Sequence, residues 1–348
     1  MGFWFVYYIP MILITGATGF VGQKVIQQIR KYYDRKDILC LTWNKDFSNR
    51  NKYVEGAGRR LLTGLGIKTR DVDLVTGQGL ENLPLGVDTV INIAANTNTS
   101  DPDQRCNDEG VVNLLNALGY IDPKIHFIQI STVAFMAGRL NCETGIDEST
   151  RPEPTNEYGR SKLRAEEYLI KMCQTRKFKL TIIRLNTVYG SGARPDSMFE
   201  LLGKWTKRDS IITRINWPGL TSIIHADDAA QAILRLSRMS PGSGVYNIFT
   251  LYAESLSFSQ ICQGIYKCLG RNYKPINLPT WFWECLVIGR GFIPYLEPIS
   301  PSSWYNPIWR MGLIVDNVVY CDTTKVFKKL PGWKPKKLAD ANTSRLFF

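Results

Sequence analysis

The stretch "MILITGATGFVG", residues 11–22, decides how this chain folds. It opens on an apolar run, Met11 to Ile14, of the kind that becomes a buried strand. Gly16, Gly19 and Gly22 follow at three-residue spacing, and "QKVIQQIRKYY" then carries the apolar period of a helix. Strand, tight turn and helix are therefore predicted in one continuous unit. Glycines at such positions let the backbone turn sharply and come close to a pyrophosphate, while the free N–H groups of the new helix face the anion. Gly16, Thr18, Gly19, Phe20, Val21 and Gly22 are thus the candidate phosphate cradle of a dinucleotide site.

Working outward, "DILCLTW" (37–43) reads as a second strand, followed by "NKDFSNRNK" (44–52). An acid at this strand end would hold the ribose 2′-hydroxyl of NAD. Here the strand runs into Trp43 and Asn44, with Lys45, Arg50 and Lys52 close behind. That charge suits a 2′-phosphate, so Asn44 and Lys45 are candidate contacts and NADP(H) is favoured. NAD(H) remains the alternative, because Asp46 is only slightly out of place. A third strand is expected to end at Asp73 and Leu74, and a fourth, within 87–100, at Ala94, Ala95 and Asn96. Small residues there would let a cofactor lie across the strand ends. "KIHFIQISTVAF" (124–135) gives a fifth strand ending in Ser131 and Thr132. "KLTIIRLNTVYG" (179–190) gives a sixth, with Leu185 and Val188 toward the cofactor. Strand and helix alternate throughout, which predicts an α/β fold built on a doubly wound parallel sheet.

Bulk properties narrow the function classes. The chain has 348 residues, 44% of them hydrophobic, enough for a large core. Net charge is +12, yet the basic residues are spread along the chain and no zinc finger, RNP signature or basic arm appears, so no nucleic-acid partner is expected. The eight cysteines form no CxxC pair and sit mostly in apolar runs, which suits reduced thiols in the cytoplasm. With only His126 and His225 to help them, no metal site is expected. Residues 1–10 read as an upstream or non-native extension ahead of a natural start at Met11.

A second stretch carries the chemistry. In "NEYGRSKLRAEEYL" (156–169), Tyr158 and Lys162 stand four apart at the head of a predicted helix, hence on one face. An ammonium near a phenol lowers the phenol's pKa from its usual ~10 and lets it exchange a proton with a substrate oxygen.

Together these pieces resemble the extended short-chain dehydrogenase/reductases, with their Rossmann-like fold. The matching motifs are "TGATGFVG", "DL" (73–74), "AAN" (94–96), "IST" (130–132), "YGRSK" (158–162), "RLNTVYG" (184–190) and "IIHADDAA" (223–230), in the family's order. The resemblance implies that Tyr158 is the general acid/base and that Lys162 tunes it and holds the nicotinamide ribose. It gives Thr132 the place of the hydroxyl that bonds the reacting oxygen, with Ser131 as the nearby alternative. Asn107 matches a structural or water-holding asparagine, and His225 a structural hydrogen-bonder.

Three departures bear on substrate. The family's dehydratases carry Asp and Glu after the hydroxyl residue, where this chain has Val133 and Ala134. Its sugar-nucleotide epimerases have Asn and Arg where this chain has Thr187 and Thr221. "ISTVAF" with "NEYGRSK" is similar to the reductase branch that includes thioester reductases and fatty-acyl reductases. The expected function is hydride transfer between nicotinamide and a carbonyl or alcohol, on an apolar small-molecule substrate. The alternatives are an epimerase that retains NAD and a non-catalytic nucleotide-binding scaffold. A dinucleotide domain is expected over 11–190, with 220–240 returning to it, and a substrate-binding cap over 191–348. The aromatic stretch 278–312 reads as a packed cap with several aromatic anchors, with an apolar substrate tunnel or an edge that touches a membrane peripherally as the sharper alternative. A homodimer paired through the Tyr158 helix is expected from the resemblance.

Overall fold

A computed structural model describes residues 11–43, 52–84, 86–119, 124–136, 145–239, 241–296, 305, 315, 319, 321–322 and 324–339. The extension 1–10, Asn44, Lys45, Cys142 and much of the aromatic stretch lie outside these residues.

Strand β1 (Met11–Thr15) is central because it is apolar on both faces, with Ile12, Leu13 and Ile14 at most 1% exposed. Each such side chain, moved from water to the core, contributes about 1.5–3 kcal/mol. It pairs in parallel with β2 (Ile38–Thr42) and β4 (Val87–Asn92). Around them lie β3 (Lys68–Asp71), β5 (His126–Thr132), β6 (Lys179–Leu185) and β9 (Tyr246–Leu251), in the order β3-β2-β1-β4-β5-β6-β9. Every pairing in this seven-stranded sheet is parallel.

Helices cover both faces. Helix α1 (Phe20–Ile29) turns Gly22, Val25, Ile26 and Ile29 inward, a one-sided stripe that packs with α6 (Ala226–Ser237) over one face. On the other face, α3 (Glu109–Ala117) and α4 (Glu157–Arg176) cover Leu13, Val90, Phe127 and Ile182. The order in which successive strands are added switches sides between β1 and β4, and a crevice opens at their carboxyl ends.

The sheet takes more of the chain than 11–190 plus 220–240. Its seventh strand is β9, which docks on β6, and Val326, Leu330 and Trp333 join the core beneath it. The expected sixth strand is two. After β6 the chain leaves the main sheet, and β7 (Thr187–Tyr189) pairs instead with β8 (Leu220–His225), which carries β10 (Glu254–Ser257) on its other edge. Asp73 and Leu74 sit just after β3, and Ala94, Ala95 and Asn96 just after β4, in the loops rather than the strands.

The remaining part is smaller. Helices α5 (Met198–Lys207), α7 (Phe258–Cys268) and α8 (Thr280–Gly291) pack around Tyr189, Trp217 and Phe258. Trp217 meets Trp283 edge-on at 5.5 Å. Trp281, Ile288, Phe292 and Tyr295 are exposed. Among the described residues, no helix is long and apolar enough to cross a membrane. Cys40, Cys106, Cys173, Cys262, Cys285 and Cys321 are in no disulfide.

Candidate active site

A cleft of about 700 Å³ runs over the carboxyl ends of β1 and β4. Gly16, Thr18, Gly19, Phe20, Val21 and Gly22 line it, as do Asp73, Leu74, Ala94, Ala95, Asn96, Leu185 and Val188. So do Ser131, Thr132, Tyr158 and Lys162. Of the candidate catalytic and cofactor-contact residues, Asn44 and Lys45 lie outside the described residues, while Asn107 and His225, also matched from sequence, stand behind the cleft rather than in its lining.

The glycine turn is specific. Gly16 has φ +67°, and a Cβ on it would fall 2.5 Å from the Ala94 nitrogen. A Cβ on Gly22 would fall 2.0 Å from the Gly16 oxygen. The loop and the helix therefore close on each other only without side chains. Helix α1 starts at Gly19 with no side-chain cap and no acid in its first turn. Its free N–H groups and the positive end of its dipole thus point at the cleft without an internal anion. That is the donor set a pyrophosphate requires, so the residues present fit a dinucleotide.

A buried polar ladder, not evident in the sequence, fixes the strand ends. Thr15 donates to the Asn92 side chain and accepts from the Ala94 nitrogen at 3.1 Å. Asn92 donates in turn to Gln129 at 2.8 Å. Asn107 is fully buried: its carbonyl accepts from the Asn96 nitrogen at 2.9 Å, and its amide donates to the Asn96 oxygen at 3.0 Å and Ser161 Oγ at 3.2 Å. It clamps the wall of the cleft to the helix that bears Tyr158 and Lys162.

That helix, α4, starts where Asn156 accepts from the Gly159 nitrogen at 2.8 Å. Tyr305, whose hydroxyl donates to the Thr155 oxygen at 2.9 Å, pins the same corner from the C-terminal part. Lys162 is 3% exposed and donates to the Ile130 carbonyl at 3.3 Å. Burial pulls its pKa down to about 8, against the opposing effects of Cys106 and Glu166. Burial raises the pKa of Tyr158, while the Thr132 hydroxyl, within hydrogen-bonding reach, and the charge of Arg194 pull it back. The net direction is opposite to the one expected from the Tyr158–Lys162 spacing. The cation acting on the phenol is Arg194, from the loop after β7, which also lines the cleft.

Ser131 also lines the cleft, and its buried hydroxyl has no protein partner. His225 caps α6, accepting from the Asp227 nitrogen at 3.3 Å, and stands edge-on to Tyr189. Its role there is structural. Val133 and Ala134 put no carboxylate beside Thr132, and Ala134 instead donates its N–H to Thr132 Oγ1 at 3.1 Å. Thr187 and Thr221 face each other at 3.4 Å. The two departures from the epimerase pattern therefore form one contact.

The buried ammonium has a thermodynamic signature. With pKa about 8 folded against 10.5 unfolded, Lys162 opposes folding by roughly 3 kcal/mol below pH 8. Between pH 8 and 10.5 the unfolded chain binds the extra proton, so stability rises with pH and the penalty fades. A Lys162→Met variant is therefore expected to resist urea better than wild type at pH 7, with the gap closing by about pH 10. Urea melts at the two pH values check this, and an unchanged gap refutes it.

The parallel sheet, the glycine turn at its switch point and the Thr132–Tyr158–Lys162 cluster define an extended short-chain dehydrogenase/reductase. Within that class, the sequence profile of the NAD dependent epimerase/dehydratase family matches residues 12–248, and the chain belongs to that family. A dTDP-D-glucose 4,6-dehydratase of Mus musculus is 27% identical over 70% of this chain and 69% of its own length. A 2′-dehydrokanamycin reductase of Streptomyces kanamyceticus is 25% identical over 49% of this chain and 48% of its own length. A polyketide synthase-nonribosomal peptide synthetase of Aspergillus clavatus is 24% identical over 82% of this chain, which spans only 7% of that protein. Among solved structures, UDP-glucuronic acid 4-epimerase from Bacillus cereus, in complex with UDP-glucuronic acid and NAD, superposes with a TM-score of 0.72 at 19% identity. The match covers 96% of this chain and 97% of that one. The dTDP-glucose 4,6-dehydratase DesIV from Streptomyces venezuelae, with NAD and TYD bound, gives 0.69 at 16% identity over 96% and 95%.

Proposed function

We propose that the chain is a nicotinamide-dependent oxidoreductase that reduces a carbonyl compound, with Tyr158 as the proton donor. The observation that carries this reading is the meeting of Thr132, Tyr158 and Lys162 on one wall of the cleft, beside the glycine cradle. A bound nicotinamide would supply the hydride for the carbonyl carbon. The protein supplies the rest. The Thr132 hydroxyl donates a hydrogen bond to the carbonyl oxygen and fixes its position. The Tyr158 phenol, kept protonated by burial, gives its proton to that oxygen as negative charge develops there. Arg194 then stabilises the phenolate that remains. The Gly16–Gly22 turn and the head of α1 would hold the pyrophosphate, and Lys162 the ribose next to the nicotinamide.

Support for an apolar substrate comes from Thr187 and Thr221, which stand where sugar-nucleotide epimerases carry Asn and Arg and which face each other. A second reading, an epimerase that retains its NAD, draws on the Bacillus cereus likeness. The two separate on purified protein denatured without added nucleotide. A reductase that exchanges its cofactor yields well under one dinucleotide per chain by mass spectrometry. Stoichiometric NAD(H) would instead establish the epimerase reading.

A further inference from the structure

We propose that Glu55 receives the adenosine ribose of the bound dinucleotide and selects NAD(H) over NADP(H). This rests on the reading of the cleft as a dinucleotide site. Strand β2 ends at Thr42, and the next residue is Trp43, so no acid stands directly at the strand end. Among the described residues, an acid reaches this wall from α2 (Lys52–Gly64) instead.

Helix α2 is pressed against the glycine turn. A Cβ on Gly58 would fall 2.3 Å from the Thr18 oxygen, so glycine alone permits the approach. Gln23 staples the contact, donating to the Thr18 oxygen at 2.8 Å and the Val54 oxygen at 2.9 Å. This packing brings Glu55 onto the cleft wall beside Thr18, Trp43 and Leu41. Burial raises the pKa of Glu55, while the Thr18 hydroxyl, within reach, and the charge of Arg59 pull it back, and Oε2 is buried with no hydrogen-bond partner. Arg59, one turn on, donates to the Trp43 carbonyl and lies 3.7 Å from Asp71.

A buried carboxylate oxygen without a donor is unfavourable until a ligand provides one. A ribose 2′,3′-diol provides two O–H donors on adjacent carbons, which suits one carboxylate. A 2′-phosphate removes a donor and sets a second anion against the first. The basic residues 45 and 50, which suggested NADP(H) from sequence, lie outside the described residues. Glu55 is inside them and has the opposite sign.

The test is a titration of the full chain with NADH and with NADPH, followed by calorimetry, for wild type and Glu55→Gln. Wild type is expected to bind NADH about tenfold more tightly, the worth of one charge-assisted hydrogen bond. In Glu55→Gln, NADH is expected to weaken about tenfold and NADPH to gain, bringing the ratio near one. A wild-type preference for NADPH, or a ratio unmoved by the substitution, overturns the proposal. Should Glu55→Gln fail to fold, wild-type titrations with ADP-ribose and its 2′-phosphate decide in the same way. If wild type binds none of these nucleotides, the dinucleotide reading itself falls. Binding without discrimination removes only the role given to Glu55.

Discussion

Tyr158→Phe is expected to lower kcat by about 10²–10⁴-fold and to leave the dissociation constant of the nicotinamide nucleotide nearly unchanged. The substitution removes a hydroxyl and keeps the ring. The ring is half-buried at the head of α4, whose start is set by Asn156 and Tyr305 rather than by the phenol. The glycine turn and the head of α1 belong to other elements, so the nucleotide contacts survive. What is lost is the proton for the substrate oxygen, and Thr132 alone cannot replace it, since its hydroxyl is far too weak an acid. Loss of kcat with retained nucleotide affinity identifies Tyr158 as catalytic. A variant that turned over normally would exclude it, and would favour a nucleotide-binding scaffold.

The fold was legible because its determinants are local. Ile12 to Ile14 and the three glycines specify strand, turn and helix within a dozen residues, and α4 announces itself through its cap and period. The candidate cleft residues were legible by their place at strand ends. What escaped was set by distant packing. Strand β9 looked like part of a separate cap because "YNIFTL" carries no sign of which edge it will join, and only pairing with β6 places it in the main sheet. The Thr15–Asn92–Gln129 ladder joins residues far apart in sequence, each unremarked as a strand polar residue. Glu55 lies on a helix, α2, that carries no motif in the sequence. The small residue at Gly58, three positions on, was the available signal that this helix approaches another backbone. For Tyr158, the spacing to Lys162 was correct as geometry. The direction of its pKa depends on burial and on Arg194, which spacing cannot convey.

The second large effect concerns what supports the site from beneath. Arg184→Met is expected to destabilise the fold by roughly 3–5 kcal/mol, the cost of leaving a buried charge alone. Arg184 on β6 donates to Glu166 on α4 at 2.8 Å, with side chains 5% and 2% exposed. The guanidinium lies over the Phe135 ring at 5.0 Å. The same region is tied to β9 by Glu148, which accepts from the Thr250 nitrogen at 2.7 Å. Arg184→Met/Glu166→Met should recover most of the loss, because an apolar pair of similar volume replaces a buried ion pair without the desolvation penalty. Urea titrations of the single and double variants measure this, and a double variant no more stable than the single one would contradict it. The pair also acts on chemistry. Glu166 is one turn beyond Lys162 and raises its pKa, while Arg184 neutralises Glu166 from the other side. Removing Arg184 alone leaves the carboxylate to act on Lys162, moving the ammonium's pKa above about 8. Removing both takes that attraction away and moves it below about 8. Any limb of the pH–rate profile that reports Lys162 should therefore shift in opposite directions in the single and double variants. Their stabilities, by contrast, differ through the desolvation of one charge. A purely structural pair would move the stabilities and leave both profiles where wild type has them.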